Sequence, residues 1–232
     1  MQETKPYNIS KWKVKEAYEK VKANKGTYGV DDQSIEGFEE NLNNNLYKIW
    51  NRMSSGSYFP KPVRAVAIPK KNGGTRILGI PTVEDRIAQM VAKMYFEPCV
   101  EPIFYDDSYG YRPSKSAIQA LETTRERCWR KDWVFEFDIK GLFDNIRHDY
   151  LIEMVKRHTE EAWVIMYIKR WLVAPFQMED GTIITRTSGT PQGGVISPVL
   201  SNLFLHYVFD DFMTKQFPTI PWARYADDGI AH

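Results

Sequence analysis

A chain of 232 residues, 43% hydrophobic and 14% aromatic, carries enough apolar matter for one large domain or two small ones, which excludes a disordered or low-complexity protein. Two cysteines, Cys99 and Cys128, are too few for a disulfide scaffold or zinc cluster, and no run approaches the roughly 18 apolar residues of a spanning helix. The net charge of +1 excludes nothing, but it hides an asymmetry: residues 1 to 130 are net +5 and residues 131 to 232 net −4. The charged start MQETKPYNISKWKVKE lacks the apolar core of a signal peptide, so the expected compartment is the cytoplasm, with buried, reduced thiols and no membrane partner.

In chain order, Trp12, Val14, Ala17, Tyr18 and Val21 recur at near-helical spacing and predict a helix over Ser10 to Ala23, ended by the glycines of NKGTYGVDD. Phe38, Leu42, Leu46, Ile49 and Met53 predict a second helix over Ser34 to Met53. Alternating Val63, Ala65, Ala67 and then Arg76, Leu78, Ile80 flank Lys-Asn-Gly-Gly, which reads as a hairpin with a basic tip. Thr82, with Asp85 three residues on, opens a helix to Val100 that should stop around Pro98 and Pro102, and SYGYRPSKSA is a loop leading to a helix over Ser116 to Arg130.

The second part opens with the strand WVFEFDI, then helices near His148 to His158 and Glu160 to Val173, then a hairpin around Glu179-Asp180-Gly181. A glycine-rich loop, SGTPQGGVISP, precedes a long apolar helix to about Lys215, with Ser197 as its N-cap and Pro198 in its first turn. The chain contains no internal repeat, and its clearest seam lies near residue 131.

Chemistry points to ARYADDGI, Ala223 to Ile230. Asp227 and Asp228 suit a tight hairpin turn, with Gly229 available for a positive φ. Two carboxylates held together repel unless a hard cation lies between them, and Mg²⁺ takes oxygen ligands of this kind beside substrate phosphates. An Asp-Asp step is weak alone, since Asp31-Asp32, Asp106-Asp107 and Asp210-Asp211 are pairs too, and such pairs are mostly solvated turns or helix faces. Asp138, ending the apolar strand FEFDI, would supply a third carboxylate if the strands are neighbours. Two Mg²⁺ about 3.5 to 4 Å apart on such carboxylates suit nucleotidyl transfer. Lys70, Lys71 and Arg76 around a Gly-Gly turn can reach triphosphate oxygens, although a basic tip is more often a solvated turn. Pro191-Gln192-Gly193-Gly194 can offer backbone N–H groups and an amide, although glycine-rich loops are mostly connectors.

The order of these parts resembles the reverse transcriptases encoded by group II introns, also called intron maturases. AYEKVKANKGTYGVD looks like their extra N-terminal block, IPKKNGGTRILGIPTVEDRIAQ like the fingers, SYGYRPSKSA like the block before the palm, and FDIKGLFDNIRHD, SGTPQGGVISPVLSN and YADD like the palm motifs. The resemblance implies an α+β right-hand polymerase, with fingers over 1–130 and a palm over 131–232 whose antiparallel sheet packs on helices. It implies Asp138, Asp227 and Asp228 as catalytic residues and ligands of two Mg²⁺ ions. Lys70 and Arg76 match the triphosphate contacts, Gln192 the palm-loop glutamine near the incoming nucleotide, and Phe143 the aromatic that crowds the sugar 2′-carbon. Lys61, Arg64, Lys71 and Arg112 are expected to touch RNA. The implied activity is RNA-directed DNA polymerisation with intron RNA binding for splicing and mobility, in a bacterial intron ribonucleoprotein. The partners would be intron RNA, RNA template, DNA primer and deoxynucleoside triphosphates, and a homodimer is left open. Alternatives are an RNA-binding maturase whose polymerase site is dispensable, or a CRISPR-associated or retron-type relative. The family continues past YADD into more palm and a helical thumb, whereas only Gly229 to His232 follow here. The expectation is therefore an absent thumb, a final strand that can barely pair, weak or no processive synthesis, and disorder or self-association near Tyr225 to His232.

Overall fold

The computed structural model describes residues 5–69 and 73–232. Helix α1 (Lys11–Ala23) starts at Ser10, whose hydroxyl accepts from the Trp12 N–H, and it buries the stripe Val14, Ala17, Tyr18 and Val21. The single helix expected over Ser34 to Met53 is instead two, α2 (Ile35–Glu39) and α3 (Leu42–Ser55), parted at Asn41 with φ −132° and ψ 46°. The break lets Phe38 stack on Tyr18 while Ile49 and Met53 also face inward, and Asn45 Nδ2 donates to the freed Phe38 carbonyl at 2.9 Å.

Strands β1 (Val63–Pro69) and β2 (Thr75–Ile80) form the expected antiparallel hairpin, in register from Arg64 opposite Ile80 to Pro69 opposite Thr75. Lys70 and Lys71 lie outside the described residues. Helix α4 (Val83–Val100) begins at Thr82, whose hydroxyl accepts from the Asp85 N–H. It passes through Pro98, which so near the helix end removes only one backbone bond, and Pro102 then sits in a 3-10 turn over Glu101–Ile103. Ile87, Ala88, Val91, Ala92, Phe96 and Val100 of α4 are all solvent-free, making it the spine of a core that also holds Val14, Ile49, Leu151, Ile168 and Leu203.

Further along come α5 (Ala117–Cys128), β3 (Phe135–Asp138), α6 (Leu142–Asn145), α7 (His148–Lys156) and α8 (Ala162–Leu172). The short strands β4 (Phe176–Gln177) and β5 (Ile183–Ile184) make the expected hairpin, but β4 also lies parallel to β1, so the sheet order is β2-β1-β4-β5. Helix α9 (Ser197–Leu205) runs through a π-helical turn, His206–Asp210, into α10 (Asp211–Gln216). Ser197 is not the N-cap: Ile196 holds that position without a side-chain cap bond, and Gln89 Oε1 of α4 accepts the Ile196 N–H at 3.4 Å. A residue of α4 thus replaces the local cap. Cys99 and Cys128 are uncrosslinked but exposed rather than buried, because each sits on the solvent side of its helix.

The second sheet, β3-β7-β6, is antiparallel and places β7 (Asp228–Ala231) between β3 and β6 (Trp222–Tyr225). The final strand pairs along its whole length on both sides, Asp228 with Asp138 and Tyr225, Ala231 with Phe135 and Trp222. Four residues suffice because a central strand shares its ladder with two neighbours. Among the described residues no helix is long and apolar enough to cross a membrane.

Candidate active site

The β6–β7 turn is two residues, Ala226 and Asp227, between the paired Tyr225 and Asp228. The positive φ, 58°, falls on Ala226 rather than on Gly229. Gly229 serves close packing instead: a Cβ there would run into the Phe137 ring across the ladder. Asp138 ends β3 directly opposite Asp228, and the Asp227 carbonyl accepts the Ile139 N–H at 3.0 Å. Asp138 and the pair Asp227-Asp228, 89 and 90 positions further along the chain, thus come to one end of one sheet.

Their mutual repulsion is legible in Asp228, whose carboxyl is held above its ordinary range, first by desolvation and then by the charges of Asp227, Asp138 and Glu136. Among the described residues no three His, Cys, Asp or Glu side chains are grouped closely enough to hold a metal ion. The aspartates are oxygen-only donors, the kind Mg²⁺ takes, with waters and substrate phosphates completing its shell. That donor chemistry, with the like charges that raise the Asp228 carboxyl, suits a hard divalent cation.

A cleft of about 740 Å³ opens beside Asp138 and Asp227, while Asp228 lies outside its wall. Its walls include Asp138, Asp227, Arg76, Phe143 and Gln192, so five residues singled out from sequence line one space. Arg76 reaches it from the exposed outer end of β2, and Phe143 from α6, just after Gly141 takes a left-handed φ of 65°. Gln192 is fixed because its carbonyl accepts the Gly79 N–H at 2.7 Å. That approach needs glycine on both sides: Gly193 has φ 104° and a Cβ there would strike the Gly79 carbonyl, while a Cβ on Gly79 would lie 2.7 Å from the Phe176 ring.

The expected RNA contacts divide. Arg64 lies over the Tyr28 ring, 4.7 Å from its centroid, and Lys61 is half exposed in an ion pair with Asp31 at 3.0 Å. Arg112 corrects the expectation. Its side chain is only 6% exposed and donates to Glu101, to the Tyr105 carbonyl at 2.6 Å and to the Ser108 carbonyl at 2.7 Å. It holds its own loop.

Two residues escaped sequence reasoning. Tyr111 lines the cleft with its ring edge-on to Phe143 at 6.4 Å, and desolvation followed by the Asp227 charge pushes its hydroxyl up. Its φ of 59°, unusual for a tyrosine, was invisible in sequence. Arg224 is fully buried against Asp210, and the one available signal was a charged residue on the otherwise inward-facing run Trp222 to Arg224.

The carboxylate-bearing end of the β3-β7-β6 sheet and Arg76 of the β1–β2 hairpin line one cleft. The chain belongs to the reverse transcriptase (RNA-dependent DNA polymerase) family, whose pattern matches residues 68–232. It is 38% identical over 193 residues to the group II intron-encoded protein LtrA of Lactococcus lactis subsp. cremoris, covering 82% of this chain and 32% of LtrA. It is 35% identical to protein YkfC of Escherichia coli K12, covering 82% of this chain and 51% of YkfC. The chain therefore spans about a third of LtrA and about half of YkfC. Among solved structures it is similar to a chain of a partial Cas6-RT-Cas1–Cas2 complex, with a TM-score of 0.58 and 25% identity over 96% of this chain and 37% of that one.

Proposed function

We propose that this chain is the fingers and palm of an RNA-directed DNA polymerase of a group II intron, with fingers over about 1–130 and palm over about 131–232. The carrying observation is the shared cleft, which Asp138, Asp227, Arg76, Phe143 and Gln192 all line. Asp138, Asp227 and Asp228 would hold two Mg²⁺ ions. When bound, such ions acidify the primer 3′-hydroxyl and neutralise charge on the departing pyrophosphate. Arg76 binds the triphosphate as a planar, permanently charged donor. Gln192 orients the incoming deoxynucleotide, and the Phe143 ring occupies the space a ribose 2′-hydroxyl would need. Template and intron RNA run along the basic first part, against Arg64 and neighbouring bases. The homology to LtrA supports a role in intron splicing and mobility within a bacterial ribonucleoprotein.

The test uses the longest polypeptide that contains this sequence. Asp138→Ala and Asp227→Ala should each lower Mg²⁺-dependent primer extension by roughly a thousandfold or more while RNA binding persists. Near-parental extension by either variant would overturn the assignment; lost RNA binding alongside lost extension would point to misfolding, which a melting curve would reveal.

A further inference from the structure

We propose that Arg224 is a positioning residue for the carboxylate turn, holding with Asp210 the backbone that presents Asp227 and Asp228. The proposal rests on the role of those aspartates given above. The Arg224 guanidinium is fully buried and has five N–H donors. Nε donates to Asp210 Oδ1 at 2.8 Å, and Nη2 to Asp210 Oδ2 at 2.7 Å and Ser108 Oγ at 2.8 Å. Nη1 donates to Asn202 Oδ1 at 3.1 Å and to the Ala226 carbonyl at 2.9 Å. Every donor is used.

A buried ion pair is a poor device for stability alone, since well-packed apolar residues of similar volume often do as well or better. What apolar residues cannot do is grip the Ala226 carbonyl. Ala226 stands in the left-handed region, which its Cβ disfavours, so the turn needs outside support. Support comes from Arg224 on the carbonyl side and from Gly110 beneath, where a Cβ would run into the Ala226 backbone. Gly110 is itself held by Asn202 Nδ2, which donates to its carbonyl at 2.7 Å. The Arg224 main chain bonds the same loop: its N–H donates to Asp107 at 2.9 Å, and its carbonyl accepts from Tyr109 at 2.8 Å. One residue thus ties together the turn bearing Asp227 and the loop leading to Tyr111, both on the cleft wall.

The aim of Asp210 depends on a special backbone. It closes the π-helical turn His206–Asp210, a form that concentrates at functional sites. A regular helix here would carry Asp210 about 100° around the axis for the one residue of difference.

The experiment compares the parent with the double variant Arg224→Met/Asp210→Leu and with Asn202→Ala, in the longest polypeptide containing the sequence. Each is assayed for melting temperature, for Mn²⁺ binding by electron paramagnetic resonance without nucleotide, and for primer extension. A folded double variant should bind Mn²⁺ about tenfold or more weakly and extend correspondingly slowly, the loss typical of removing a support behind a metal ligand. A folded double variant with parental Mn²⁺ affinity and extension would overturn the proposal. If the double variant does not fold, Asn202→Ala decides on the same two readouts, weakened binding supporting the proposal and parental binding overturning it. Asp227→Ala is the control: unaltered Mn²⁺ binding there would sink the assignment of the aspartates themselves, not the role of Arg224.

Discussion

Phe143 shows how a residue's neighbours decide its consequence. Its ring lines the cleft edge-on to Tyr111, and its carbonyl is tied down by the Thr190 N–H at 2.6 Å, so it cannot easily retreat from a sugar. Phe143→Ala is expected to raise ribonucleotide incorporation relative to deoxyribonucleotide, measured by competitive single-nucleotide extension, and an unchanged ratio in a folded variant would count against the steric role. Asp85 makes a second case. It is 2% exposed, accepts from Tyr58, Thr82 and the Lys61 N–H, and burial pushes its carboxyl up to about 6. Because the folded pKa exceeds the unfolded value, the folded state binds the extra proton. The linked stability is present below about pH 4 and lost as pH rises through 6. Referenced to Asp85→Asn, which cancels the other carboxylates, parental stability in urea should fall by up to about 3 kcal/mol between pH 4 and 6.5.

At the scale of elements, the contact between the Pro191–Gly194 loop and β2 is the seam of the cleft, and it tolerates no side chain. Gly193→Ala should cost about 1–3 kcal/mol in urea titrations through strain and overpacking. It should also raise KM for the nucleotide more than it lowers kcat, because Gln192 moves with the loop. The elements were largely legible: apolar periodicity located α1 and the β1–β2 hairpin, and the Thr82 cap located the start of α4, since these signals lie within single segments. The break at Asn41, the cap of α9 borrowed from Gln89 and the parallel pairing of β4 with β1 were not, because each is dictated by a partner remote in sequence. The cleft was legible as a list of residues through the family resemblance. Tyr111 and Arg224 were not, for one depends on a backbone angle and the other on burial.

For the whole molecule, charge is arranged rather than abundant. A net +1 conceals a basic first part, so RNA affinity should be salt-sensitive despite the near-neutral total. Each phosphate contact removed should flatten the slope of log affinity against log salt by about 0.7 on single-stranded RNA. Arg64→Ala should show this more fully than Lys61→Ala, since Lys61 is already paired with Asp31. Equal slopes for parent and Arg64→Ala would argue that Arg64 meets no phosphate.

The parallel pairing of Val63 with Phe176 has a consequence for how the chain is made. Synthesis proceeds from the N-terminus at about 5–20 residues per second, and a strand cannot pair with one not yet translated. The β1–β2 hairpin, complete at Ile80, must therefore wait with one edge bare until Gln177 has emerged, an interval of several seconds or more in which that edge is open to a chaperone or to another nascent chain. Stalled ribosome complexes of increasing length should show β1 becoming protease-resistant only once residue 184 has cleared the exit tunnel.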